Sequence, residues 1–172
     1  MATTYNLISS NVLSSAAASV TFSSIPATYT DLVLRVSARS ANSGVENDIT
    51  INLNNSTAAN YSYTLIQGTG SATSSNRASA DSSFNYYYVD GNTATANTFG
   101  SFEVYFANYA SSANKVNSGF FVQENNTTGA YINAFAGLWS NVSAINEIKI
   151  TSQSAANFVS GSSFYLYGIK NS

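Results

Sequence analysis

Hydrophobic and polar residues alternate with a period of two along most of this chain. In residues 31–40 (DLVLRVSARS), Leu32, Leu34, Val36 and Ala38 fall on one side, and Val33, Arg35, Ser37 and Arg39 on the other. Successive residues of a strand point to opposite faces, so this segment predicts an antiparallel strand with one buried and one mixed face. Val20 and Phe22 alternate ahead of an Ile25-Pro26 turn, and Ile49, Ile51, Leu53 and then Tyr61, Tyr63, Leu65 repeat the pattern. Residues 84–89 read as an aromatic strand. Phe102, Val104 and Phe106 then point inward, with Glu103 and Tyr105 outward. Residues 119–123, 130–138, 148–150 and 164–169 complete the set, with a short strand at residues 5–8. No stripe of helical spacing is present. About ten short strands with Ser/Asn/Gly-rich turns predict an all-β fold, an antiparallel, jelly-roll-like β-sandwich. Residues 20–172 are expected to form one domain, with residues 1–19 as an N-terminal arm carrying the first strand. Residues 68–81 and 90–97 are expected to be exposed loops, the second opening on an Asp-Gly turn.

Composition narrows the chemistry. The 172 residues include no histidine and no cysteine, and only 8% are charged. The commonest general base, the commonest metal ligands and the softest nucleophile are therefore missing. A Ser-His-Asp triad is impossible, and no motif supports a Ser-Lys pair. Phosphate-loop and dinucleotide fingerprints are absent. The eight carboxylates sit beside turns or on outward strand positions and read as solvated charges. Glu46-Asn47-Asp48 and Asp90-Gly91-Asn92 place oxygen atoms in what read as loops, but neither matches a calcium-loop pattern. The expectation is a non-enzyme with no cofactor and no metal. Six scattered cations make no basic patch, so no nucleic-acid partner is expected. No apolar run approaches the roughly 20 residues that span a bilayer, and no membrane partner or secretory leader is expected.

Aromatics are the remaining signal: 12 Tyr and 10 Phe supply ample buriable area. The run Tyr86-Tyr87-Tyr88 must send at least one ring to each face of its strand, one of them into the core. Tyr105 and Tyr109 read as lying opposite Phe102, Val104 and Phe106, and Trp139 reads as core. Outward tyrosines can stack on sugars or pack against a neighbouring subunit. Few charges and no disulfides favour the subunit interface, and a β-protein with few lysines has little protection against edge pairing. The expected interface residues are Tyr5, Leu7, Ile8, Tyr86, Tyr87, Tyr88, Tyr105 and Tyr109.

Three segments carry a family resemblance. They are residues 22–34 (FSSIPATYTDLVL), residues 106–110 (FANYA) followed by Lys115, and residues 161–170 (GSSFYLYGIK). Residues 136–148 add weaker support. From about Val20 to its end the chain resembles the small β-sandwich virion proteins of tailed phages, found especially among phages of cyanobacteria and other aquatic bacteria. In that family the module occurs as a head decoration (cement) protein and at the tips of longer fibres. The match begins about twenty residues from Met1, which leaves no room for a shaft and favours a free-standing decoration protein. The resemblance thus implies a homotrimer on the outer capsid surface of a virion, with the major capsid protein as partner. The alternative is a fibre tip recognising host glycans. It implies no active site. The 1–19 arm is the candidate grip on the shell or on a neighbouring subunit.

Overall fold

The computed structural model describes residues 4–127 and 129–170, with the side chain of Tyr86 outside the described set. Among the described residues there is no helix, and twelve strands form. In chain order they are β1 (Tyr5–Val12), β2 (Ser19–Phe22), β3 (Asp31–Ala38), β4 (Glu46–Leu53), β5 (Tyr61–Gly68) and β6 (Thr73–Asp81). Then follow β7 (Phe84–Asp90), β8 (Gly100–Phe106), β9 (Lys115–Gln123), β10 (Tyr131–Trp139), β11 (Ile148–Ser152) and β12 (Ser163–Ile169).

Two antiparallel sheets build an all-β sandwich. The large sheet runs β1-β12-β3-β8-β9-β10-β5-β6, and the small sheet runs β2-β11-β4-β7. From β2 to β5 and again from β10 to β12 the chain switches sheets at each step, which is jelly-roll connectivity. The meander β8-β9-β10 broadens the large sheet, and β12 and β1 extend its other side.

One hydrophobic cluster fills the space between the sheets. Leu32, Leu34, Val104, Phe106, Phe135 and Leu166 come from the large sheet, and Ile49, Ile51, Tyr87 and Ile150 from the small one. Phe84 and Tyr87 are three residues apart yet both point inward. A bulge where β7 passes Ile49–Ile51 of β4 absorbs the extra residue. Their rings pack within 6.0 and 4.9 Å of Phe135, and Trp139 stacks on Tyr61.

Three expectations change. Residues 73–81 are an edge strand, β6, paired with β5 on either side of a bulge at Ser79–Ala80, and the loop shrinks to its hairpin end. Its exposure on both faces erases the alternation that marks a strand in sequence. Val33 is buried although it faces outward, because Tyr105 of β8 and Tyr167 of β12 flank it in register. The N-terminal segment is sewn into the sandwich: β1 pairs with β12 along its length, the Leu13 amide donates to Ser162, and Leu13 joins the core.

Candidate functional site

Most residues that carry the family resemblance converge at one end of the sandwich, with Gly161 and Ser162 at the other end of β12. Asp31, at the start of β3, is buried. It accepts from the Tyr105 hydroxyl at 2.6 Å and from the Asn108 amide at 2.7 Å. Asn108 holds a left-handed turn with φ of 48°, a conformation Asn tolerates better than most residues. That turn drops the Tyr109 side chain inward. The Tyr109 hydroxyl donates to the Pro26 carbonyl and accepts from the Tyr29 amide, and its own carbonyl accepts from Ile145. The Tyr29 ring lies flat over Gly168, where any Cβ would sit 2.3 Å from the ring. Lys170, just past the end of β12, places its ammonium 5.8 Å from that ring's centre. Lys115 is buried, with its ammonium donating to the Ser111 and Ala113 carbonyls, and burial lowers its pKa. Gly161 takes a φ of 89°, and the buried Ser162 hydroxyl bridges the amide and carbonyl of Arg39. These motif positions close turns or satisfy buried groups, while Ser163, Tyr165 and Tyr167 of the last motif face outward on β12.

Arg39 does similar work at a different loop. Its guanidinium is buried and donates to the carbonyls of Asn92, Ala94, Thr95 and Thr98, and to the Thr98 hydroxyl. A cation paired with backbone dipoles instead of a carboxylate fixes the loop that follows β7. Nothing in the local sequence signals this, because the acceptors are backbone atoms more than fifty residues away.

The expected interface residues scatter. Tyr5 and Leu7 are exposed on β1, next to Tyr167 of β12. Ile8 instead packs against the core, because it alternates with outward Leu7 and points to the opposite face. Tyr87 is fully buried, and burial pushes its hydroxyl pKa well up, so it is no interface residue. Tyr109 is equally buried. It lies beyond the end of β8, where the strand alternation that placed it outward no longer applies. Tyr105 is outward and half-buried, tied to Asp31. Tyr88 is half-buried and stacks on Tyr131 with ring centres 4.8 Å apart. The Tyr86 side chain falls outside the described residues.

Glu46 and Asp48 prove to be outward neighbours on β4, not loop residues. Tyr131 donates to Glu46 at 3.1 Å. Burial, and then the Glu46 charge, raise the Asp48 pKa. Among the described residues no three acidic groups come together as a metal would require.

What the alternation did not single out is the outer face of the large sheet. Its apolar half carries Ile66 of β5, Ile132 of β10, and Val116, Phe120 and Val122 of β9, all solvent-exposed. The half beside it is a trough of about 580 Å³. Tyr165 and Tyr167 form one wall and Phe120 and Val122 the other. Across its floor run Ser163, Ser37 and Ser101, matched in register. The ion pair of Arg35 with Glu103, at 2.6 Å, crosses the same floor with both side chains about half exposed. No protein-family model and no curated protein matches the chain.

Proposed function

We propose that this chain is a decoration protein of a tailed-phage head, seated as a homotrimer on the outer capsid surface and bracing the major capsid protein. The observation that carries the reading is the division of labour in the fold. The motif residues Asp31, Asn108, Tyr109 and Gly168 are spent on internal hydrogen bonds and close packing, while a broad sheet face with few charges, including Tyr165 and Tyr167, is left open to contact. Apolar patches of this kind mark interaction surfaces. The open edge of β1, with Tyr5, Leu7 and Val12 exposed along it, suits contact with the shell. A ligand that binds only the assembled shell stabilises it by linkage, and several weak contacts acting together suffice.

A second reading, a fibre tip that binds host glycans, draws on the tyrosine wall and serine floor of the trough. Copy number separates the two. Quantitative gels of purified particles are expected to show this chain in amounts comparable to the major capsid protein. A handful of copies per particle would reject decoration and favour the fibre tip.

A further inference from the structure

We propose that the open face of the large sheet is buried against a second copy of this chain, with the apolar ridge of one copy seated in the trough of the next. The inference rests on the decoration reading for its biological setting, but its evidence is the shape and charge of one face.

The ridge and the trough lie side by side on neighbouring strands. Along one register row the side chains run Ser163, Ser37, Ser101, Val122, Ile132, from β12 across to β10. Along the next they run Tyr165, Arg35, Glu103, Phe120, Ala134, Ile66. Each row is small or polar at the β3 and β8 positions and apolar toward β5 and β10. Ile66 and Ile132 are 64% and 49% exposed and rise beside a floor of serines. A face with a raised apolar half and a lowered polar half is complementary to itself after rotation. In a ring of three, each copy gives its ridge to one neighbour and its trough to the other.

Charge fits a copy too. Among the exposed side chains of this face between β12 and β5, Arg35 and Glu103 carry opposite charges and cancel, and Asp31 at the start of β3 is buried against Tyr105. Two such faces do not repel, and the exposed pair can exchange partners across the contact, Arg35 of one copy to Glu103 of the other. Area sets how such a ring is held. Six strands about 4.8 Å apart, each with about seven residues rising about 3.3 Å, cover roughly 29 by 23 Å, near 670 Å² in projection. A ring of three divides this between two neighbours, about half to each, so every contact is below the roughly 800 Å² per partner of a stable pair and the three contacts hold the closed ring together.

The test is the solution mass by analytical ultracentrifugation, at concentrations spanning about 1 to 100 μM. Wild type is expected above the 18.1 kDa of one chain. Ile132→Lys on the ridge and Ser101→Arg on the trough floor are each expected to return it to monomer. Val142→Lys, at an exposed apolar residue off this face, is expected to leave the multimer unchanged. Thermal melts of all four proteins establish that each is folded. A monomeric wild type overturns the inference, as does a multimer that survives Ile132→Lys. Dissociation by Ile132→Lys but not by Ser101→Arg overturns the seating of ridge in trough. None of these outcomes depends on where the protein sits on a particle: a monomeric wild type would also remove the trimer from the decoration reading, while placement on the head stands or falls separately by location and copy number.

Discussion

The end of the sandwich where the motifs meet and the outer face of the large sheet use the same residue types to opposite ends. At the motif end, Tyr29, Tyr105 and Tyr109 each find a fixed partner: Gly168, Asp31 and Pro26. On the outer face, Tyr165 and Tyr167 stand half-buried across the trough from exposed Phe120, and Tyr167 lies beside exposed Tyr5 and Leu7 of β1. A tyrosine whose hydroxyl and ring are both satisfied within the chain contributes to folding. A tyrosine beside exposed apolar neighbours has area left to bury against something else. The motif residues Asp31, Asn108, Tyr109 and Gly168 belong to the first kind of region, whereas Tyr165 and Tyr167 of the last motif belong to the second.

Breaking the motif end is expected to cost most. Gly168→Ala would place a methyl group 2.3 to 2.5 Å from three atoms of the Tyr29 ring, with backbone pinned on both sides by β1 and β3. Overpacking of this severity costs about 3 kcal/mol, read as a large fall in melting temperature. Tyr109→Phe keeps the ring but leaves the Pro26 carbonyl and the Tyr29 amide short of a partner. It is expected to cost about 1 to 2 kcal/mol, seen as a lower urea midpoint at unchanged slope.

A subtler probe uses pH. The Tyr105 hydroxyl is pushed up from 10.0 to about 12, first by its hydrogen bond to Asp31 and then by burial. A phenol held protonated by the fold contributes stability that is complete below pH 10. That contribution is lost as pH rises toward 12, because the unfolded chain releases its proton first. The stability gap between wild type and Tyr105→Phe should therefore close between pH 10 and 12. A gap constant across that window would contradict the assignment. The smallest effect is expected on the open face. Ile132→Ser should change the stability of the isolated chain by no more than about 0.5 kcal/mol, because the side chain is half exposed and meets solvent. A loss of several kcal/mol would mean that this face is core and would dissolve the contrast.

Much of the fold was legible because period-two alternation reports burial directly. Ile49-Ile51-Leu53, Tyr61-Tyr63-Leu65 and Phe102-Val104-Phe106 are buried as the alternation predicts, and Trp139 is core. The failures occur where alternation stops reporting burial. β6 is exposed on both faces and carries no pattern. A bulge puts Phe84 and Tyr87, three residues apart, on the same face. Tyr109 lies past the end of its strand, in a turn set by Asn108. The open face escaped notice for a related reason. Ile66, Phe120 and Ile132 occupy positions that are ordinary in a strand, and only the pairing of β5, β10 and β9 gathers them into one patch. Register is long-range information, and so are the carbonyls that surround Arg39.

The central claim is that this surface serves a capsid exterior, and location tests it most directly. Intact particles labelled with an antibody against this chain should show label spread over the whole head. Label confined to the tail end would contradict the account and turn attention to the tyrosine-walled trough as a receptor site.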